Sequence, residues 1–478
     1  MRKLILLTFI ALLLPGAARS EALSLDSCRA FALANNKQIK MADEAVRGAG
    51  YVKKSAFAAY LPGIDFTAGY MYNQHIIELL GEDAKLPTMT FNPATQQYDY
   101  NLVKMPDGTP VKDPATGSYI PSEVAVIPKE AMSYDVHNVF AGAFTLTQPI
   151  YMGGQIRALN DMAKAGEEVA VSARNVAVQD LLYSVDEAYW LVVSLRSKQK
   201  LAEGYVALVD SLNYSVTKLL ENGMATRSDL LNVEVKLNEA RIAYTKVTNG
   251  LSLARMALQQ LCGLPIGAPL TLADEETMAT PKVERLPDYD LQQVYQRRQD
   301  LEALRRSISL LRGKEKLSLS AMLPKIAAVG TYAFSNPNVI HGFEKRFGGG
   351  FSVGAALTIP LWHWGGNYHQ YRAAKSATLA QQLLLEDMEE KVELQVNQAK
   401  YKFEEAYKTL DMTRTNMEKA DENLRNAELG YKEGVLTVDD VTAAQTAWLQ
   451  AHSEEVDAEI GVQLCNVYLS KVLGLMPY

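Results

Sequence analysis

The sequence predicts a mainly α-helical protein with a small β part, built as two internal repeats that each contain two strands and a long helical hairpin. The chain has 18 prolines, but two long stretches contain none, one between Pro149 and Pro265 and the other between Pro360 and Pro477. Because proline costs about 3 kcal/mol inside a helix, both stretches are predicted to hold long helices. Before each stretch, apolar and polar residues alternate with period two, which is typical of β-strands.

Composition excludes several classes of protein. The chain has 478 residues, of which 22% are charged and 48% are apolar, and its formal net charge is −7. It is too long for one ordinary domain and too polar for a polytopic helical membrane protein. The acidic balance argues against nucleic-acid binding. Three cysteines do not make a disulfide-stapled scaffold, and an odd number cannot all pair within one chain.

The first 20 residues are predicted to be a secretory signal peptide. Arg2 and Lys3 precede an apolar run over 4–14, and small residues follow as far as Ser20. Eleven apolar residues are too few to span a membrane as a helix, and the alternative is an amphipathic first helix. No later stretch approaches 18 consecutive apolar residues. We therefore expect an exported protein that enters a membrane, if it does so, only as β-strands.

Three markers recur in the two proline-free stretches, and their leading residues are 211 positions apart (360 − 149, 434 − 223 and 474 − 263). They are a Pro…Gly-Gly junction, a Gly-x-x-Thr turn and a closing glycine, namely Pro149, Gly153, Gly154 with Pro360, Gly365, Gly366; Gly223–Thr226 with Gly434–Thr437; and Gly263 with Gly474. This duplication predicts a first repeat over 21–265, a linker over 266–290 and a second repeat over 291–478.

Each repeat is predicted to begin its β part after a Leu-Pro pair, at Leu61-Pro62 and Leu323-Pro324. The apolar members of the four alternating segments are Ile64, Phe66, Ala68, Tyr70, Tyr72; Phe140, Gly142, Phe144, Leu146; Ile326, Ala328, Tyr332, Phe334; and Phe351, Val353, Ala355, Leu357, Ile359. The first repeat also carries an insertion over 73–139 that contains seven prolines. We expect this insertion to be irregular and extracellular, and its role is left open.

The alternating segments fit either a half-buried soluble sheet or a transmembrane β-barrel. The polar opposite face, the length of about 9–11 residues and the aromatic residues near the segment ends fit the barrel. These aromatic residues are Tyr70, Tyr72, Tyr151, Trp362 and Trp364. Four strands cannot close a barrel, so closure needs other copies, and three copies would supply twelve strands.

Two long helices are predicted, from about Gln155 to Asn222 and from Asn367 to Lys432, each about 100 Å long. Apolar residues recur in a 4,3 or seven-residue spacing, which indicates side-by-side coiled-coil packing, although a free-standing coiled coil is the alternative. These residues are Leu181, Ala188, Leu195, Ala202, Val209, Val216; and Val392, Val396, Ala399, Phe403, Ala406, Leu410, Thr413, Met417, Ala420, Leu424, Ala427. Gly223 and Gly434 suit the hairpin turns, and Thr226 and Ser228, with Thr437, can cap the returning helices.

In this order, and duplicated over nearly the whole mature chain, the Leu-Pro pairs, Pro…Gly-Gly junctions and Gly-x-x-Thr tips resemble the TolC-like outer-membrane efflux proteins of Gram-negative bacteria. The resemblance implies a homotrimer with a twelve-stranded barrel in outer-membrane lipid and a helical coiled-coil barrel in the periplasm. It also implies docking onto a periplasmic adaptor (membrane fusion protein) and an inner-membrane transporter of RND, ABC or MFS type. Drugs, small molecules and secreted polypeptides remain open as substrates. A periplasmic coiled-coil adaptor or scaffold without a pore is the alternative.

The resemblance also implies a periplasmic aperture narrowed by aspartates. The matching positions are Asp440, with Asp439 beside it, and Tyr431, and we also assign Asp229 of the first tip to the aperture. A second family aspartate is Ala443 here, and the arginine that helps to latch the closed state is Leu436, so the latch must be built differently. As an alternative, Asp439 and Asp440 are ordinary first-turn acids favoured by the helix dipole.

The same resemblance assigns the hairpin tips to adaptor docking and the Pro…Gly-Gly segments to the strand-to-helix junctions. The docking residues are Gly223, Met224, Thr226, Gly434, Leu436 and Thr437. The junction residues are Pro149, Gly153, Gly154, Pro360, Gly365 and Gly366.

The sequence shows no pattern typical of an enzyme. It has no Gly-x-x-x-x-Gly-Lys-[Ser/Thr] loop, no His-Glu-x-x-His pair and no Gly-x-Ser-x-Gly elbow. Cys28, Cys262 and Cys465 lack metal-binding spacing and are expected to be small buried apolar residues. We therefore predict a passive duct with no catalytic residue, metal or cofactor, whose energy comes from its partners.

Overall fold

The computed structural model describes residues 22–276 and 289–477. The predicted signal peptide over 1–20 lies outside the described residues, as do residues 277–288 of the predicted linker. The described chain forms two compact units: one takes in 22–56, 157–276, 289–318 and 368–477, and the other takes in Phe57–Ile156 and Leu319–Asn367.

Long helices dominate the first unit. The helices are α1 (Leu25–Asn35), α2 (Lys37–Ala58), α3 (Gln155–Glu221), α4 (Arg227–Cys262), α5 (Leu291–Arg297), α6 (Gln299–Ser320), α7 (Gly366–Lys432) and α8 (Val438–Val472). Both α3 and α7 are 67 residues long, and their ends agree with the predicted ends to within one residue. In the part of the chain that the structure describes, no helix combines the length and apolarity needed to cross a membrane.

The heptad positions form the helical core, as the spacing predicts. Along α3, Leu181, Ala202, Val209 and Val216 are buried, whereas Ala188 and Leu195 are partly buried. Along α7 the buried members are Val392, Val396, Ala399, Phe403, Leu410, Thr413, Leu424 and Ala427. Near the hairpin turns, α3, α4 and α8 share one apolar cluster, which we call the tip core: Tyr205, Val209, Leu212, Val216, Leu230, Val233, Leu237, Ala240, Val438 and Val441. The helices therefore pack on one another rather than stand alone.

A buried ion pair fastens the N-terminal helix to α3. The Asp186 side chain is fully buried and accepts hydrogen bonds from Nε and Nη2 of Arg29, at 2.7 and 2.5 Å. This contact with Asp186 raises the pKa of the Arg29 guanidinium above its usual range. Asp26 also contacts Arg29, at 3.1 Å, but its side chain is 90% exposed. The buried carboxylate therefore depends on Arg29 for its compensation.

The second unit contains one large antiparallel sheet. Its strands are β1 (Gly63–Tyr72), β8 (Asn138–Tyr151), β9 (Lys325–Asn336) and β10 (Gly348–Thr358), hydrogen-bonded in that order. The register places Phe66 opposite Phe144, Phe144 opposite Tyr332, and Tyr332 opposite Phe351. Since directly opposed residues share a face, the predicted apolar residues of all four strands lie on one side. Along the other side lie Asp65, Thr67, Ala143, Thr145, Thr331, Ser335, Ser352 and Thr358.

The apolar side of this sheet is exposed within the single chain, and the outer edges of β1 and β10 have no strand partner among the described residues. Phe351 and Val353, for example, are 82% and 78% exposed. A water-soluble sheet normally buries such a face, so this one is built to meet something other than water.

The insertion is more regular than we predicted from its prolines. It contains β2 (Ile77–Glu78), β3 (Ala84–Pro87), β4 (Met89–Asn92), β5 (Gln97–Tyr100), β6 (Val124–Ile127) and β7 (Ser133–Tyr134). These pair as three nested antiparallel ladders, β2 with β7, β3 with β6 and β4 with β5. Pro87 is the last residue of β3, Pro93 follows β4 and Pro128 follows β6. These prolines therefore lie at strand ends and do not prevent strand formation.

We expect Arg29→Ala to destabilise the helical unit by about 3 kcal/mol, because it leaves the fully buried carboxylate of Asp186 without its cationic partner. The midpoint of urea unfolding, followed by the helical circular dichroism signal, measures this effect. Asp26→Ala is the matched control, since it removes the exposed partner of the same arginine, and we expect little change. Equal midpoints for the two variants would contradict the assigned role of Arg29.

Candidate functional site

The two hairpin turns have the same backbone geometry. Gly223 and Gly434 adopt φ values of +75° and +74°, a left-handed conformation that favours glycine. In the first turn, the N–H of Met224 donates to the carbonyl of Leu219 at 2.8 Å. In the second, the N–H of Val435 donates to the carbonyl of Gly430 at the same distance. The glycines therefore end α3 and α7 by satisfying their last carbonyl groups.

A threonine and an aspartate begin each returning helix as a capping box. The hydroxyl of Thr226 accepts the N–H of Asp229 at 3.1 Å, and the Asp229 carboxylate accepts the N–H of Thr226 at 2.8 Å. Thr437 and Asp440 repeat the arrangement at 3.3 and 2.9 Å, and the Thr437 hydroxyl donates to the same carboxylate at 2.7 Å. The prediction that the two threonines cap the helices is confirmed, whereas Ser228 is not the capping residue.

These hydrogen bonds favour the charged carboxylates. The side chain and backbone N–H of Thr437 lower the pKa of Asp440 below its usual range. Hydrogen bonds from the backbone and then the side chain of Thr226 do the same for Asp229. Asp229 and Asp440 are thus capping groups at the starts of α4 and α8. The predicted alternative for Asp439 and Asp440, that they are first-turn acids, agrees with their position in the first turn of α8. The aperture role of Asp440 stays a prediction.

Asp439 has a different environment from Asp440. Asp439 is exposed, and its backbone carbonyl accepts a hydrogen bond from the Thr442 hydroxyl at 3.0 Å. Among the described residues, its carboxylate has no hydrogen-bond or ion-pair partner. Of the two neighbouring acids, Asp439 is therefore the one whose carboxylate is not engaged in the helix cap.

Tyr431 is half-buried and packs against the tip core. Its hydroxyl is buried and has no hydrogen-bond partner among the described residues. Burial, followed by the negative charge of Asp229, raises the pKa of the phenol. The structure therefore brings Tyr431 of the second hairpin within electrostatic range of Asp229 of the first hairpin. A buried hydroxyl without a partner is unusual and indicates a site that another group can complete.

Leu436, which stands where the resemblance places a latch arginine, folds back onto its own turn. A Cβ added to Gly430 would lie 2.8 Å from Leu436 Cδ1, so the glycine provides the space that this leucine fills. Met224 and Val435, each directly after a turn glycine, are instead 70% and 78% exposed. We did not include Val435 among the predicted tip residues, although its position after Gly434 matches that of Met224.

The two strand-to-helix junctions differ in detail. Gly153 and Gly154 both have positive φ, and a Cβ on Gly153 would meet the Cβ of Leu323 at 2.8 Å. In the second junction Trp364 and Gly365 have positive φ, whereas Gly366 is already the first residue of α7. Gly366 therefore lies at the helix end of its junction, as the first residue of α7, and Gly365 precedes it with positive φ.

The two junction prolines also differ. Pro149 lies inside β8, beside a register shift between Pro149 and Tyr151. Such an irregularity tolerates a residue that cannot donate a backbone hydrogen bond. Pro360 lies beyond the end of β10 at Thr358.

In the described residues, no group of three His, Cys, Asp or Glu side chains is placed to hold a metal ion.

A family model for "Outer membrane efflux protein" matches residues 127–264 and 291–475. The chain belongs to this outer membrane efflux protein family. The match covers both long hairpins and the strands β8, β9 and β10, and it confirms the resemblance to TolC-like proteins. As a member of the family, the protein is located in the outer membrane, with its helical part in the periplasm.

Relatives and solved structures agree with this assignment. The outer membrane efflux protein BepC of Brucella suis is 23% identical over 335 residues, which cover 69% of this chain and 71% of BepC. The structure is similar to CusC (TM-score 0.73, 14% identity, covering 94% of this chain and 91% of CusC). It is also similar to the open state of the MtrE outer membrane channel of Neisseria gonorrhoeae (TM-score 0.71, 18% identity, covering 94% and 88%). Family membership favours a channel over a periplasmic adaptor without a pore.

We expect Asp440→Ala to lower the hydrogen-exchange protection of residues 438–441 more than Asp440→Asn does, because asparagine keeps a side-chain oxygen for the cap. Asp439→Ala, which removes a neighbouring charge without a capping bond, is the control and should leave protection unchanged. Equal protection in Asp440→Ala and Asp439→Ala would show that the cap does not stabilise α8.

The same cap should depend on pH. The pKa of Asp440 is lower in the folded protein than its ordinary value of about 3.9, so the stabilisation is complete above that value. As the pH falls through the lower folded pKa, the carboxylate is protonated and the stabilisation is lost. Protection of residues 438–441, corrected for the intrinsic exchange rate, should therefore fall only below about pH 4 in the wild-type protein, and not in Asp440→Asn.

Proposed function

We propose that three copies of this chain form a channel through the outer membrane and the periplasm, through which an inner-membrane transporter exports its substrates. One observation carries this proposal: among the residues that the structure describes, the sheet β1-β8-β9-β10 has no strand partner at either outer edge, and its apolar face is exposed. Lipid offers no hydrogen bonds, so every backbone group of a strand in the membrane must pair within the protein. The edges of β1 and β10 therefore need partners from other copies.

A ring satisfies both edges with one kind of contact. If β10 of each copy pairs with β1 of the next, the interface is head-to-tail and closes by rotation. Three copies give twelve strands, a number within the range of membrane barrels. The apolar row that contains Phe66, Phe144, Tyr332 and Phe351 would then face lipid, and the small and polar side chains would face the lumen.

The helical hairpins suit a periplasmic tunnel that docks at its tips. Met224 and Val435 give each tip an exposed apolar side chain next to a rigid glycine turn, which suits contact with a periplasmic adaptor. The mouth of the tunnel would be narrowed by the acids Asp439, Asp440 and Asp229 and by Tyr431. The duct itself is passive in this proposal, and a transporter of RND, ABC or MFS type supplies energy for drugs, small molecules or secreted polypeptides.

Lysine on the lipid-facing side should prevent assembly. We expect Phe144→Lys and Leu357→Lys each to reduce the yield of outer-membrane trimer strongly, since a lysine facing the bilayer centre costs about 2–4 kcal/mol. Thr145→Lys and Ala356→Lys place the same charge one residue away on the opposite face and should assemble. Cell fractionation, gel mobility without heating and sedimentation in detergent measure the yield.

Two outcomes of this comparison would contradict the proposal in different ways. Normal trimer from both Phe144→Lys and Leu357→Lys would refute the assignment of the lipid face. A wild-type protein that sediments only as single chains in detergent would refute the trimer, whatever the variants do.

We expect the acidic residues at the hairpin turns to determine the ion preference of the proposed channel. We expect Asp439→Asn and Asp440→Asn each to lower the cation preference of single channels in planar bilayers, because each removes three negative charges from the mouth of a trimer. Asp26→Asn, at an exposed acid of α1, is the control. Unchanged conductance and selectivity in both tip variants would remove these acids from the aperture.

A further inference from the structure

Two of the three cysteines meet in the interior of the helical unit. Cys28 lies on the buried face of α1 with Ala32, and Cys262 is the last residue of α4, on the same face as Leu258. Both cysteines are at most 1% exposed, and both belong to the apolar cluster that joins α1, α3 and α4. They are 234 positions apart in the chain, so only the fold brings them together.

The thiol of Cys262 contacts the backbone of Cys28. Its Sγ donates a hydrogen bond to the carbonyl oxygen of Cys28 at 3.5 Å. Interaction with the Cys28 side chain, together with burial, raises the pKa of the Cys262 thiol above its ordinary value. Two buried cysteines in such proximity are candidates for a disulfide, in which the sulfur atoms lie about 2.05 Å apart.

The backbone around the pair is fixed on both sides by contacts that do not involve sulfur. Before Cys28, the N–H of Leu23 donates to the carbonyl of Thr271 at 2.9 Å. After it, the Asn36 amide donates to the carbonyl of Leu261 at 2.9 Å. A Cβ on Gly263 would lie only 2.6 Å from the Cβ of Asn35, so α1 and the end of α4 are closely packed.

We infer that Cys28 and Cys262 form an intramolecular disulfide bond in the exported protein, which links the N-terminal helix to the end of the first hairpin. The helical part is periplasmic, and disulfides form and persist in that oxidising compartment. This differs from our expectation that these cysteines are only small apolar residues. Cys465 is half-buried, its sulfur lies 3.8 Å from the carbonyl oxygen of Lys402, and within the described ranges it does not contact another cysteine.

Formation of the Cys28–Cys262 disulfide needs an oxidant. In this proposal the oxidant is the disulfide of a periplasmic thiol–disulfide oxidoreductase. The thiolate of one cysteine attacks a sulfur of that disulfide, forms a mixed disulfide and releases one thiolate of the oxidant. The second cysteine, as a thiolate, attacks the mixed disulfide, forms the Cys28–Cys262 bond and releases the other. Two protons and two electrons leave the chain and reduce the oxidant to a dithiol. Because the folded pair is buried, oxidation precedes final packing of α1.

The test counts free thiols in the full chain purified from outer membranes. The protein is unfolded in denaturant with an alkylating reagent, without reductant, and mapped by peptide mass spectrometry. We expect alkylation of Cys465 alone, with Cys28 and Cys262 recovered in one linked peptide pair. After reduction, all three should be alkylated. The denatured, unreduced chain should run as a single chain on a gel.

Matched variants sharpen the result. Cys28→Ser should free Cys262, and Cys262→Ser should free Cys28, so each variant should show one newly alkylated cysteine. Cys465→Ser is the control and should show none before reduction. Alkylation of Cys28 and Cys262 in the unreduced wild-type protein would overturn the inference, as would a covalent dimer, which would assign the bond to two chains. Wild-type protein made without the periplasmic oxidoreductase should lose the linked pair, and its persistence would refute the proposed oxidant.

Discussion

The constraint on which the architecture depends is that a backbone hydrogen-bonding group cannot remain unpaired in lipid. The chain offers an antiparallel sheet whose inner strands are fully paired and whose two outer edges are open. A single copy would leave a row of N–H and C=O groups without partners, which is expensive where water is excluded. In the proposed trimer, neighbouring copies supply the strand partners that the β part of a single chain lacks.

Turn conformation and hydrogen bonding at the helix ends determine where the two long hairpins reverse direction. Left-handed glycines close α3 and α7, and a threonine and an aspartate open α4 and α8. These short segments fix where each helix reverses. The side chains that follow the glycines are consequently presented in a reproducible position. Leu436 occupies the space left by Gly430, so the second turn is packed by an apolar side chain.

Most of the helical part could be predicted from the sequence, because heptad spacing and proline distribution both report on the long-range regularity of α3 and α7. The four main strands were likewise visible from the alternation at residues such as Phe66 and Phe144. The nested strands of the insertion were not, because ladders of two to four residues leave little periodicity and prolines at their ends mask it. The two-fold repeat, although supported by matching markers, stays a prediction.

The candidate site was harder to anticipate. The spacing from glycine to threonine predicts the two hairpin turns. It does not show that the Asp440 carboxylate accepts hydrogen bonds in the helix cap and that the Asp439 carboxylate does not. That distinction depends on backbone geometry around Thr437. The contact between Cys28 and Cys262 was equally invisible, since nothing local to either cysteine records a partner 234 positions away.

The fastening of Leu23 and Asn36 to residues near 261–273 has a consequence for biogenesis. A polypeptide that crosses the inner membrane from its N-terminus delivers α1 first, yet the residues that α1 contacts in α3 and at the end of α4 emerge only later. Arg29 can meet Asp186 only after 157 further residues have emerged, and Cys28 can meet Cys262 only after 234. Maturation of this protein therefore has an inherent delay at its very beginning, and that interval is when its apolar face is open to holding factors or to misassembly.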